Sequence, residues 1–281
     1  MIIWIPSYPK SGNTWVRAFL SSYLYSSDGL FNFDLLKKIG EFPDHNILNK
    51  FMDEKNFHNL SEVSKHWINV QKIINQRKKV TFLKTHSALC SINDNKFTNK
   101  ANTLAFIYVV RDPRNVILSL SNHFGVSQEK SLDLIINKKY ITYPKYLSST
   151  SKNNLSKLPA SLVGSWGYHY SSWKSFDVID KIFVKFEDLA NNTKETFKKI
   201  IIFLNEYAEI EYDEKRMINS IDSTQFHKLK KYEEKHGFDM GQKNKFFYLG
   251  KENNWEKFLN HKIEKIVREI FFKEMNELGY I

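Results

Sequence analysis

The sequence holds a single cysteine, Cys90, among 281 residues. One thiol excludes a disulfide framework and any metal site built from several thiolates. Long apolar runs are missing too. No stretch approaches the roughly 18 consecutive apolar residues that a membrane span needs. The opening run Met1-Ile2-Ile3-Trp4-Ile5-Pro6 is too short for a signal-peptide core, and no basic segment precedes it. A soluble, cytoplasmic protein is expected. Internal repeats and long linkers are also absent, so residues 1–281 are expected to form one domain.

What is present is an ordinary globular composition enriched in rings. Apolar residues make up 42% and aromatic residues 15% of the chain, enough to bury a full core and to exclude wholesale disorder. Lysine and arginine number 42 against 31 acidic residues, for a net charge of +11. Such a surplus suits a polyanionic partner: nucleic acid, acidic lipid or a phosphorylated small ligand. It equally describes a solvated lysine-rich surface, since the charge is spread along the chain.

Short runs rich in branched and aromatic residues occur at 2–6, 80–84, 104–111 and 182–186. They are nearly continuous in hydrophobicity, as strands covered on both faces are. Helical periods lie at 14–25, 61–77, 113–124, 160–176, 193–204 and 261–278. Alternation of this kind predicts an α/β fold with a central parallel sheet flanked by helices. Ligands in such folds sit beyond the carboxyl ends of the strands. The polar segment 148–154 is the best loop candidate, either a lid or a passive connection.

The loop after the first strand reads Pro6-Ser7-Tyr8-Pro9-Lys10-Ser11-Gly12-Asn13-Thr14-Trp15. Gly12 permits a close turn. Amides at a helix start favour an anion, Lys10 adds charge, and Ser11 and Thr14 add hydroxyls. An N-capped helix with a surface lysine would read the same way. The ATP-type loop needs Gly, four residues, then Gly-Lys-Ser/Thr, and that spacing is missing. The second strand ends Lys84-Thr85-His86, with Lys84 and His86 pointing the same way. His86 is a candidate general base or an ordinary surface histidine. The third runs into Arg111-Asp112-Pro113-Arg114. Asp112 can cap a helix beginning at Pro113. Arg111 faces the ligand zone as a phosphate fork or pairs with an acidic loop. Ser119 shares a helix face with Asn115 and could equally serve packing.

Taken together, Tyr8-Pro9-Lys10-Ser11-Gly12-Asn13-Thr14-Trp15, Lys84-Thr85-His86 and Arg111-Asp112-Pro113-Arg114 with Ser119 resemble the sulfotransferases that use 3′-phosphoadenosine 5′-phosphosulfate (PAPS). Gly164-Ser165-Trp166, Phe186-Glu187-Asp188-Leu189, Thr224-Gln225-Phe226, and Gly250 with Trp255 extend the likeness over nearly the whole chain. The resemblance implies a P-loop NTPase-like fold with a 5′-phosphosulfate-binding loop. It implies that PAPS is the donor and PAP the product, without a catalytic metal. By the same resemblance Ser11, Gly12, Asn13 and Thr14 would hold the 5′-phosphate, and Lys10 would steady the leaving phosphate. Trp15 would lie against adenine unless it merely packs in the core. His86 would take the acceptor's proton, with Lys84 supporting the transferring group. Arg111 and Ser119 would grip the 3′-phosphate. Thr224 and Phe226 would enclose the adenine.

Three positions depart from the family pattern. Phe186 stands where tyrosine is common and lacks its hydroxyl. Asn13 stands where threonine is frequent, though its amide still donates. Tyr248-Leu249-Gly250 replaces Arg-Lys-Gly, which removes two cations from the 3′-phosphate. Lys251 and Lys245 are the nearby lysines that could substitute. No dimerisation motif follows Trp255, so the oligomeric state is open.

The expected reaction is in-line sulfuryl transfer to a hydroxyl, or an amine, of a small-molecule, glycan or lipid acceptor. Candidate acceptor walls are Phe31, Phe33, Phe42, Phe51 and Phe57, and the segments 140–158 and 232–247. A P-loop kinase would need the missing glycine spacing. An RNA-binding protein would leave three aligned anion loops without a purpose, so no nucleic-acid partner is expected.

Overall fold

The computed structural model describes residues 1–142, 159–237 and 245–281. The main sheet has five strands, β1 (Ile2–Pro6), β2 (Gly40–Glu41), β3 (Thr81–Thr85), β6 (Thr103–Val110) and β9 (Asp180–Lys185). Their order is β2-β3-β1-β6-β9 and every pairing is parallel. Two small antiparallel pairs accompany it: β4 (Ser91–Ile92) with β5 (Asn95–Lys96), and β7 (Ile141–Thr142) with β8 (Ser161–Leu162). From β1 the chain first visits β2 and β3 on one side, then crosses to β6 and β9 on the other. The direction of winding reverses at β1, which opens a crevice at the strand carboxyl ends there.

Alternation along the strands builds two cores. Ile3, Ile5, Ile107 and Val109 face one layer with Val16, Phe19 and Leu20 of the helix Asn13–Tyr25, and Phe197 and Ile200 of Thr193–Ala208. Ile2, Trp4, Phe106 and Tyr108 face the other, where Val116 and Leu120 of the helix Pro113–Phe124 and Trp173 of Trp166–Lys174 cover them. Each such fully buried side chain is worth roughly 1.5–3 kcal/mol.

Three expected helices are broken. Within 61–77, Leu60–Ser64 ends and Trp67–Asn75 begins anew; the Ser64 hydroxyl bonds back to the Ser61 carbonyl at 2.8 Å, a local alternative to the helix ladder. Within 160–176, Ser161–Leu162 is strand, Gly164 takes φ +69, and Ser165 caps a helix that starts only at Trp166. Within 261–278, Phe271 leaves helical geometry to bury its ring against Trp166. The predicted loop 148–154 lies outside the described residues.

Candidate active site

The loop that leaves β1 turns sharply. Lys10 and Gly12 both take positive φ, 67° and 98°. A side chain at Gly12 would place its Cβ 2.5 Å from the Phe186 ring, so only glycine fits. The Gly12 carbonyl accepts from the N–H groups of Trp15 and Val16. The N–H groups of Asn13 and Thr14 open the helix and lack an intrahelical acceptor. The side chain of Asn13 departs from expectation: its amide turns back to donate to the Ile5 carbonyl at 2.9 Å. It braces the loop against β1 and leaves only its backbone N–H for a ligand.

One cavity of about 1330 Å³ spans the carboxyl ends of β1, β3 and β6. Lys10, Gly12, Asn13, Thr14, Trp15, Lys84, His86, Arg111, Ser119, Phe226 and Gly250 all line it. Thus eleven of the expected site residues come together. Ser11 sits buried just behind them with its hydroxyl unpartnered. Thr224 does not reach the cavity surface. It is fully buried, and its hydroxyl donates to the Ser220 carbonyl at 2.6 Å, closing the helix Glu214–Ser223. Its neighbours Ile221 and Gln225 line the cavity instead. The side chain of Lys251 lies outside what the structure describes. Lys245 is committed to Glu234 at 2.8 Å.

The cations here are buried and short of counter-charge. Burial, with Arg111 nearby, lowers Lys10 to about 7, against a weaker opposing pull from Glu233. Its ammonium lies 3.7 Å from the Phe246 ring centre. Lys84 is lowered by burial against the pull of Glu41, whose carboxylate it meets at 3.0 Å. Burial brings Arg111 to about 10. The Arg111 guanidinium stacks on Phe186 at 4.0 Å and reaches the carbonyls of Lys10 at 3.4 Å and Gly250 at 3.2 Å, while its Nε has no partner. Trp15 packs edge-on to Phe186 and Phe197, and its indole N–H is likewise unpartnered. Unpartnered donors and depressed cations in one cavity are what a polyanion would satisfy.

His86 Nδ1 lies 2.8 Å from the Ser7 carbonyl and 3.3 Å from its hydroxyl. A carbonyl only accepts, so Nδ1 carries the proton and Nε2 keeps its lone pair. Burial, then Lys84, lowers the ring to about 3, and it is neutral at physiological pH.

Glu41 escapes sequence reasoning; Phe246 falls within the expected wall 232–247, but its contact with Lys10 leaves no mark in the sequence. Glu41 lies on a two-residue strand, too short to leave a periodic pattern, and Phe246 lies outside any helix or strand. Of the proposed aromatic walls, Phe42 lines the cavity, beside Glu41 and Pro43. Phe57 is core, Phe51 stacks on His66, and Phe33 stacks on Tyr232. Tyr140 and Thr142 also line the cavity; residues 143–158 and 238–244 lie outside the described residues.

Residues 2–279 match the family model described as sulfotransferase domain. No curated protein matches the chain significantly. Among solved structures, mouse sulfotransferase SULT7A1 complexed with PAP aligns over 97% of this chain and 84% of its own, with 17% identity and a TM-score of 0.57. Retinol dehydratase in complex with androsterone and inactive cofactor PAP aligns over 98% and 80%, with 13% identity and a TM-score of 0.61. The same enzyme with retinol and PAP gives 14% identity over 98% and 81%, at a TM-score of 0.60.

Proposed function

Because this chain belongs to the sulfotransferase domain family, we propose that it moves a sulfuryl group from PAPS to a hydroxyl-bearing acceptor and releases PAP. The observation that carries the donor assignment is the convergence of Lys10, Lys84 and Arg111 with the unpartnered N–H groups of Trp15 and Arg111 in one cavity, with the unpartnered Ser11 hydroxyl buried in the same loop. The structural neighbours crystallised with PAP support the same nucleotide.

PAPS supplies an activated sulfuryl group on a phosphate leaving group. The rest is the work of this chain. The backbone amides from Gly12 to Thr14 would hold the 5′-phosphate at the helix start. Arg111 and Ser119 would take the 3′-phosphate by a charged fork and a hydroxyl. Trp15 and Phe226, which line the cavity, would lie against the adenine. Lys10 would neutralise charge as it grows on the leaving oxygen, an interaction worth more in the transition state than before it. Lys84 stands beside it, already neutralised in part by Glu41. His86 Nε2 would accept the acceptor's proton.

At the acceptor end, Glu41, Phe42, Pro43, Tyr140 and Thr142 form a mixed apolar and polar wall. Retinol dehydratase binds retinol and androsterone, and a small molecule, a glycan residue or a lipid carrying one accessible hydroxyl fits this wall chemically. Incubation with sulfur-labelled PAPS and a panel of phenols, sterols, sugars and lipid alcohols should yield labelled product from one class. Absence of transfer to every class, together with no PAP binding, would overturn the proposal.

A further inference from the structure

The helix Trp166–Lys174 touches none of the cavity, yet it holds the backbone beneath two of its sides. Trp166 Nε1 donates to the Arg111 carbonyl at 3.2 Å. His169 Nε2 donates to the His86 carbonyl at 3.2 Å. Trp173 Nε1 donates to the Ser87 carbonyl at 3.0 Å. Spacings of three and four residues put all three on one helix face. All three side chains are buried. Ser172, next to Trp173, accepts the Leu89 N–H at 3.0 Å.

The middle contact has its own support. A carbonyl only accepts, so His169 carries its proton on Nε2 and presents Nδ1 to the Tyr108 hydroxyl, 2.7 Å away. Tyr108 lies on β6, the strand that ends in Arg111. The Tyr8 ring, from the anion loop, meets His169 edge-on at 5.7 Å. Burial lowers His169 to about 3, so the imidazole stays neutral and keeps this one tautomer. A neutral ring with both nitrogens engaged is a rigid spacer between β6 and the turn after β3.

We propose that this helix is a two-part clamp: Trp166 positions Arg111 for the donor's 3′-phosphate, and His169 with Trp173 positions His86 for proton removal. The proposal rests on the function proposed above for the donor and for His86. None of the three is a catalytic residue, because each acts through a main-chain carbonyl. A buried carbonyl that loses its side-chain donor is left to move toward another partner, and it takes its own side chain with it.

The two halves separate by measurement. In Trp166→Phe, PAP affinity should fall about fivefold to tenfold while AMP affinity and kcat stay near the starting values. In His169→Leu, kcat at saturating donor and acceptor should fall about tenfold or more with PAP affinity unchanged, and His169→Gln, whose amide can donate to one side and accept on the other, should recover most of it. Trp173→Phe loses the same kind of indole N–H from the same helix and should follow His169, not Trp166. Nitrogen-15 spectra of histidine-labelled protein should show His86 as a single Nδ1–H tautomer in the wild type and in His169→Gln, and shifted or broadened in His169→Leu. Equal loss of PAP selectivity in both tryptophan variants, or an unmoved His86 signal in His169→Leu, would overturn the clamp. If the unaltered protein binds PAP and AMP alike, the donor assignment fails, and the His86 spectra still decide whether His169 sets that residue.

Discussion

Glu41 Oε1 stands 3.0 Å from Lys84 Nζ on the wall of the cavity. The lysine is almost wholly buried and the carboxylate is about one-quarter exposed, with side-chain exposures of 4% and 26%. The pair lines the cavity at the end proposed for the acceptor, and it holds Lys84 in place before any donor arrives. Glu41→Gln keeps the shape and removes the charge. Leaving a buried lysine with a neutral partner should lower stability by about 1–3 kcal/mol, read as a fall in Tm. PAP affinity should hold or rise, because one negative charge has left an anion site. A clear loss of PAP affinity at unchanged Tm would show that Glu41 orients the donor instead.

Arg111 offers a sharper test of which nucleotide fits. Its guanidinium stacks on Phe186 and its Nε is unpartnered, so one strong donor stands ready. Arg111→Ala should weaken PAP binding by about 1.5–3 kcal/mol, roughly tenfold to a hundredfold, and weaken AMP far less. Calorimetric titration of both nucleotides measures the difference. Equal losses would move the 3′-phosphate away from Arg111.

Lys10 links binding to pH. Burial and Arg111 bring it to about 7, so its ammonium is complete below that value and is lost as pH rises through it. An anionic donor binds the charged form. PAP affinity and kcat/KM should therefore fall above pH 7, approaching tenfold per pH unit, whereas kcat should decline later, because a bound anion raises the lysine again. Lys10→Arg, with a charge that does not titrate in this range, should flatten the affinity profile even if it turns over slowly. An affinity profile for the wild type that stays flat from pH 6 to 9 would contradict the burial of this charge.

How much of this could be read in advance depended on whether neighbours in space were neighbours in sequence. β1 matches the expected run residue for residue, and the helix Pro113–Phe124 begins where Asp112 and Pro113 require, because a cap and a buried strand are local signals. The anion loop was legible for the same reason. Asn13 was legible by type but not by direction: only the fold shows that the Ile5 carbonyl claims its amide. Thr224 matched a motif, yet the helix end beside it took its hydroxyl. Glu41 pairs across 43 residues with Lys84, and His169 reaches Tyr108 across 61. No periodicity records such meetings, since the sheet order makes them.

His86 carries the most exposed claim about the reaction. Its Nδ1 is bound to the Ser7 carbonyl at 2.8 Å, which leaves Nε2 as the only ring nitrogen able to take a proton. Burial and Lys84 bring the free protein's ring to about 3. A group lowered in this way is neutral at every pH above that value, so in the free protein no loss of base should appear as pH falls from 8 to 5. A base so weak is also a poor partner for proton transfer. The donor's negative charge, placed beside Lys84 and Lys10, should offset their effect and raise His86 in the complex. Nitrogen-15 titration with and without PAP should show the rise directly. His86→Ala should fold with a Tm close to that of the unaltered protein and bind PAP, yet lose at least about 10²-fold in kcat. His86→Gln should do little better, since an amide can align a hydroxyl but cannot remove its proton. If His86 only packs at the strand end, the alanine variant would instead lose stability and keep its turnover per folded molecule. Near-normal kcat in a well-folded His86→Ala would end the assignment and leave Glu41, the carboxylate at the same end of the cavity, as the next base to test.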